Sequence, residues 1–358
     1  MSELPQPPPS PQQPPPSANS RNLLIVLGAL GAAVLVTVVT CGIVGFVFRD
    51  RIFDLGDPGN TTLTVEAVTA GGGAPDRDAL ERTRDVLADR IEAAEFDRRS
   101  VEIDGDRRLV LTVDGTGKED VLRSLAGTGD LRVRRVLGTV PDQSTGGAPA
   151  VRPDTGPVPS REEVAARLGS AYQIAQGIAA PGTLDPATTA ALAPFASLTP
   201  AQVAALPPAM QYAVPTVTCP QLAARPAGST AATDQLVACA LAEQPTKHLL
   251  DVAKVSAEDI DGAEATLDKS TGEWIIMINF TGPGQQRWTD LTREAFTAGQ
   301  GNNQIAIVLD DAVISAPEVL DVLTGSTQIS GSFTRDSAMA LAAQLDSEPL
   351  PLVLRPVD

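Results

Sequence analysis

Two adjacent aspartates, Asp310 and Asp311, end the apolar run of "IAIVLDDAVISAPEVL" (Ile305 to Leu320), and they are the first place to look for acid–base chemistry. A carboxylate pair acts as acid and base when both groups face one site. If Gln304 to Leu309 is a strand, successive side chains leave opposite faces and the pair diverges. The same residues suit a hairpin turn, where short acidic side chains bond nearby amides. The single histidine, His248, stands beside Lys247 with no metal-ligand spacing and no neighbouring cysteine, a pattern that predicts a surface or linker residue. Gly282-Pro283-Gly284 would let backbone amides approach an anion, yet no basic cluster accompanies it, and a helix-starting turn fits better. No G-x-S-x-G, Walker loop, H-E-x-x-H or dinucleotide fingerprint occurs. These residues predict a protein that is not an enzyme and calls for no cofactor and no metal.

The elements that position these residues follow from composition. Residues 1–20, "MSELPQPPPSPQQPPPSANS", are crowded with proline and nearly free of apolar side chains, so the expectation is a disordered, extended tail. Leu23 to Phe48 is a run of 26 residues without a charge, flanked by Arg21 and by Arg49, Asp50 and Arg51. At about 1.5 Å per residue it exceeds the ~30 Å of bilayer hydrocarbon, which predicts a single transmembrane anchor within residues 21–50. Flanking charge is nearly balanced and does not orient it. Cysteine does better. Cys219 and Cys239 share a Pro/Ala-rich segment and could close a disulfide loop, which persists in an oxidising compartment; two reduced thiols would look the same. The expectation is a single-pass plasma-membrane protein whose C-terminal region is extracytoplasmic. Its formal charge is −17, and residues 246–358 hold 17 acidic against 7 basic side chains. That surface repels nucleic acid and anionic headgroups, so no nucleic-acid partner is expected.

Residues 61–138 read as β-α-β-β-α-β. "LTVEAV" alternates, Asp76 can cap a helix with Leu80, Leu87, Ile91 and Ala94 on one stripe, and "VEIDGDRRLVLTVDG" is a hairpin about Asp104-Gly105. A helix in "KEDVLRSLAG" and a strand in "LRVRRVL" complete a ferredoxin-like unit, its helix Arg and Glu residues expected on a solvated face. Residues 139–245, rich in Pro and Ala, predict a partly ordered insert or linker without regular strands. Residues 246–358 predict a second small α+β domain: strands in "AEATLDKSTGEWIIMINF", helices carrying Trp288, Leu291 and Phe296 and then Met339 to Leu345, and a last strand "LPLVLRPV".

The runs "NFTGPG" (Asn279 to Gly284), "QIAIVLDDAVISAP" (Gln304 to Pro317), "QISGSFT" (Gln328 to Thr334), "AMALAAQLDS" and "LPLVL" resemble the first extracytoplasmic domain of the SecD family. SecD is the accessory subunit of the bacterial Sec protein-export machinery. Residues 61–138 resemble that domain's base, through "TRDVLADRIEAAEF" and "LVLTVDG", and residues 246–358 its head subdomain. The resemblance implies that Asn279, Phe280, Gly282, Asp310, Ser315, Pro317, Gly331 and Phe333 shape the head or touch a client. It also implies that Asp310 and Asp311 form a structural turn, followed by a short return strand and a helix begun by Pro317. SecD continues into five further spans where this chain ends at Asp358, and Ser347-Glu348-Pro349 stands where a glycine usually precedes Leu-Pro. The expectation is a truncated, single-span homologue without the helix-lined proton pathway.

Two functions fit. One is a non-enzymatic, membrane-anchored extracytoplasmic module that assists export by holding unfolded exported polypeptides or contacting Sec translocon subunits. The other is a structural or regulatory envelope protein that kept the fold without an export role.

Overall fold

The computed structural model describes residues 59–143, 156–178, 181–182, 184–240 and 245–357, within a compact unit spanning 58–358. Strand β1 (Asn60–Val68) buries alternate residues, and helix α1 (Arg77–Ala93) starts where the Asp76 carboxylate accepts the Ala79 amide at 2.7 Å. Its 3.6-residue stripe puts Leu80, Thr83, Leu87 and Ile91 inside. Strands β2 (Arg99–Asp104) and β3 (Arg108–Asp114) form the expected hairpin, and helix α2 (Glu119–Leu125) follows.

The next strand departs from the ferredoxin-like expectation. Strand β4 (Leu131–Pro141), which contains "LRVRRVL", pairs with neither β1 nor β3. The fourth strand of the first sheet is the C-terminal strand Val353–Pro356, antiparallel to β1 with Val65 opposite Pro356. Alternation dictates that a segment is extended and which face is apolar, but not its partner. Here the partner lies at the other end of the chain.

Between residues 161 and 223 the described residues form short helices: α3 (Arg161–Leu168), α4 (Ser170–Gln176), α5 (Pro186–Ala191), α6 (Pro200–Ala204), α7 (Pro208–Ala213) and α8 (Cys219–Ala223). Proline at the first turns, where its missing N–H is not needed, explains how a proline-rich segment is helical. Their core includes Tyr172, Phe195, Val203 and Met210. Cys219 and Cys239 are joined in a disulfide that ties α8 to strand β5 (Leu236–Ala240).

Strand β5, β6 (Thr246–Ser256), β9 (Ile305–Leu309) and β10 (Ala312–Ser315) close with β4 into a five-stranded barrel in the order β10-β5-β6-β4-β9. Val136, Leu236, Ala238, Leu250, Ala306, Val308 and Val313 pack together as its core. Between β6 and β9 come β7 (Ile260–Leu267), β8 (Trp274–Phe280) and helix α9 (Gly282–Ala298); after β10 come β11 (Thr327–Phe333), α10 (Arg335–Asp346) and β12 (Val353–Pro356). Strands β11, β8 and β7 form a second antiparallel sheet.

Helix α10 serves two cores. Ala340 and Ala343 pack with the first sheet's helices, while Ala338, Leu341, Ala342 and Leu345 pack with Trp288 and Leu291 under the second sheet. The run "AMALAAQL" suits this position, since small side chains allow close approach on two faces. Among the described residues no helix is long and apolar enough to cross a membrane. The tail expected at 1–20 and the anchor expected at 23–48 lie outside the described residues.

Candidate functional site

Asp310 and Asp311 connect β9 to β10 as a two-residue turn, Leu309 pairing with Ala312, and both have positive φ, 50° and 62°. That is the hairpin geometry in which Asp is among the few tolerated non-glycine residues. Asp310 reaches back across the chain. One carboxylate oxygen accepts from Thr128 Oγ1 and from the Asp130 amide (3.0 Å), the other from Gln344 Nε2 (3.3 Å). Its role in this geometry is to pin the loop between α2 and β4 against α10.

The same loop is held from below by Arg90. Its guanidinium donates to the carbonyls of Leu125 (3.0 Å), Gly127 (2.6 Å), Thr128 (3.2 Å) and Glu348 (3.0 Å), and to Ser347 Oγ (2.6 Å). Arg90 is fully buried, not on the solvated face expected for the arginines of this helix. Three residues after Leu87 and next to Ile91, it falls on the apolar stripe itself, a signal that was legible. Burial lowers its pKa to about 10, opposed by the charge of Asp310, so it stays protonated.

The motif residues do not converge on one site. Phe280 stacks on Trp288, ring centroids 5.2 Å apart, and exposed Asn279 accepts from Ser326 Oγ at 2.6 Å. Gly282 begins α9 with open space around it, whereas Gly284, two residues on, abuts Asp259. Phe333 pairs with Trp274 across an irregularity in β11, and a Cβ on Gly331 would come 3.0 Å from the Phe333 ring. Ser315 ends β10 opposite Ile307.

Pro317 does not begin a helix. Its carbonyl accepts the Ile305 amide (3.1 Å), Gln304 bridges Glu318, and Asn303 Nδ2 holds the carbonyl of Val319 (3.1 Å). These contacts keep the chain extended past the point where a first helical turn would form.

Several buried cations escaped the sequence reading. Arg134 donates to the carbonyls of Asp234 (2.6 Å) and Asp251 (2.8 Å), and burial brings its pKa to about 10. Lys247 donates to the carbonyls of Val214 and Val217, both 3.1 Å, and burial lowers its pKa to about 8. Arg225 donates to Gln211 Oε1 and to the carbonyls of Leu222 and Val237, each 2.8 Å. These are structural ties on backbone carbonyls and one side-chain amide, not paired acid–base groups.

His248 is 5% exposed, not a surface residue. It lies on β6 opposite Thr139 and Ala238, and cross-strand partners share a face, so it follows Ala238 toward the barrel core. Neither ring nitrogen has a hydrogen-bond partner among the described residues, and burial lowers the pKa. The sign follows directly. The unfolded chain takes up the proton near pH 6.5 while the folded chain resists it, so stability falls as pH drops below about 6.5. In His248→Met, urea unfolding at pH 7.5 and at pH 5 should differ by less than in the unaltered chain. Identical pH dependence in the two would contradict the burial.

Beside β7 lies a groove of about 610 Å³, with Glu258, Asp261, Asp346 and Glu348 at its rim and Arg132 at one end. Arg132 is already engaged, by Asp130 at 2.7 Å and the Thr230 carbonyl at 2.8 Å. A second hollow of about 360 Å³ shares Asp346 and is lined by Ala263, Glu264 and Ala265 of the same strand. No cluster of His, Cys, Asp and Glu able to hold a metal occurs among the described residues.

Comparison with known proteins places these features. Residues 234–352, which run from β5 to the start of β12, match the family model for the SecDF P1 head subdomain. The protein translocase subunit SecD of Streptomyces coelicolor is 36% identical over 126 residues, 34% of this chain and 22% of that protein. SecD of Mycobacterium tuberculosis is 28% identical over 347 residues, 83% of this chain and 56% of its own length. The chain therefore spans about half, or less, of the length of these relatives. Among solved structures, SecDF in its super-membrane-facing form matches 90% of this chain and 34% of its own at TM-score 0.43 and 18% identity. A structure of SecDF described as a membrane component that enhances protein export matches 83% and 98% at TM-score 0.40 and 20% identity. Residues 234–352 thus match the SecDF P1 head subdomain, and the chain as a whole is similar to SecD sequences.

Proposed function

We propose that this chain is a non-enzymatic binding module, anchored in the plasma membrane by residues 23–48, that holds unfolded polypeptide outside the membrane during Sec-dependent export. The observation that carries this reading is the match of residues 234–352 to the SecDF P1 head. The similar proteins are named as translocase subunits, and Asp310 and Lys247 are spent on structural ties. In this reading residues 61–138 and 246–358 act as base and head, and residues 139–245 as an insert whose strand β5 is part of the barrel. Export is its setting, and the emerging chain or Sec translocon subunits are its partners.

The test is made in cells. A photoreactive amino acid is placed at exposed positions of the head, such as Leu320 (77% exposed) or Phe296 (47% exposed), while a secretory protein is arrested in transit. The expected result is cross-links to the arrested chain or to Sec subunits. Probes that capture neither, in a strain whose secreted proteome is unchanged by deleting the gene, would leave the structural envelope role instead.

A further inference from the structure

We propose that the outer edge of β7 is a docking site for an extended, basic polypeptide segment, which joins the head's three-stranded sheet as a fourth strand. The proposal rests on the polypeptide-binding reading above and gives it a place and a chemistry.

At Ala265 and Leu267 the edge is open by the arithmetic of the ladder. The hairpin between β7 and β8 closes with the Asp268 amide donating to the Glu273 carbonyl at 2.8 Å, so hydrogen-bonded and non-bonded pairs alternate from there. Leu267 opposite Trp274, Ala265 opposite Ile276 and Ala263 opposite Ile278 are the non-bonded pairs, and these residues turn their N–H and C=O away from β8. The Ala263 amide confirms the phase, because it donates outward to Asp346 Oδ1 at 3.1 Å. The outward groups of Ala265 and Leu267 have no partner among the described residues.

Proteins blunt such edges with proline, lysine or a bulge. The opposite edge is blunted in this way, since β11 loses register between Ser330 and Phe333 around Gly331. Strand β7 has one irregularity of its own, between Ile260 and Gly262; from Gly262 to Leu267 its pairing is regular, and "IDGAEATL" has neither proline nor lysine. The two hollows described above run along this edge, from Ile260 to Ala265, and α10 lines them with Met339, Ala342 and Leu345. An added strand therefore has room beside β7 and an apolar wall to lie against.

Charge selects the occupant. Glu258, Asp261, Glu264, Asp346 and Glu348 surround the edge; Glu258 feels the charge of Arg287 and Asp346 holds the Ala263 amide, but none forms a close ion pair among the described residues. The arginines at the two ends are spent, Arg132 on Asp130 and Arg335 on Glu95. A strand bearing Lys or Arg at alternate positions meets these carboxylates, while an acidic strand is repelled. Backbone bonds supply sequence-tolerant affinity and the rim supplies the preference.

The test uses the purified full-length chain in detergent and two labelled ten-residue peptides, one alternating valine and lysine, the other valine and glutamate. The lysine peptide is expected to bind by fluorescence anisotropy, with affinity falling as salt rises. It should slow amide exchange at Ala265 and Leu267. Ala265→Pro removes an outward N–H and leaves the bonds to β8 in place, so affinity should fall at least tenfold. Asp261→Lys with Glu264→Lys, which leaves the backbone untouched, should exchange the preference toward the glutamate peptide. Binding that is equal in all variants, or exchange protection elsewhere, overturns the proposal. So does no binding at all; cross-links to an arrested secretory chain would still stand in that case, and the failure would belong to the edge alone.

Discussion

Arg90→Met lowers the stability of the chain by on the order of 3–5 kcal/mol, read as a fall in the urea midpoint at an unchanged slope. The guanidinium has no exposed surface and ends on four carbonyls and a serine hydroxyl drawn from two distant segments, residues 125–128 and 347–348. Methionine fills part of the space and leaves those oxygens buried without donors, each at about 1–3 kcal/mol. Gly129, at φ 81°, explains why the loop needs this tie: a Cβ there would lie 2.6 Å from Arg90 Nη2, so loop and guanidinium are built against each other. Arg90→Lys should recover little, because an ammonium cannot span oxygens arranged around a planar fork. A loss under about 1 kcal/mol for Arg90→Met would mean that the loop is held by Asp310 and Gln344 without the arginine.

The second large effect lies at the start of α9. Gly284→Ala should cost on the order of 3 kcal/mol, by urea unfolding, while Gly282→Ala is near neutral. A Cβ on Gly284 would come 2.8 Å from Asp259 Cβ and closer still to the Asp259 carbonyl oxygen, whereas nothing lies within 4 Å at Gly282. Asp259 cannot retreat. Its carbonyl accepts the Thr281 amide at 2.9 Å, and its buried carboxylate holds the Ser256 amide at 3.0 Å and the Arg287 guanidinium. The helix cap depends on the same contact, since Thr281 Oγ1 accepts the Gly284 amide at 3.1 Å. Equal tolerance of alanine at both glycines would contradict the close approach.

These two positions mark where the sequence was and was not legible. Local features read well: the Asp76 cap, the β2–β3 hairpin, and the Asp310-Asp311 turn each follow from a few adjacent residues. Partner choice did not. Strand β4 alternates as any strand does, and nothing in "LRVRRVL" says that its neighbours are β6 and β9, while β12 completes the first sheet from the far end of the chain. Buried polar groups were missed for a related reason. Lys247 and His248 lie next to each other on a strand, and adjacency in sequence hides that both are enclosed, one on carbonyls of the connection between α7 and α8 and one toward the barrel core. For the candidate site, the motif glycine at 282 was singled out where packing needs the one at 284. The edge of β7 becomes visible only when the order β11-β8-β7 is known, because openness is a property of the sheet.

The redox state of two cysteines in living cells tests most directly whether this domain works outside the membrane. Cys219 and Cys239 are joined and nearly inaccessible, so the experiment is done on denatured samples of cells carrying the full-length chain with Cys41→Ser, treated with a maleimide of high mass before and after reduction. An extracytoplasmic domain predicts no mass shift until the reductant is added, then the addition of two adducts. Two adducts without reductant would put the head in the reducing cytosol, where it could meet no polypeptide emerging from the far side of the membrane.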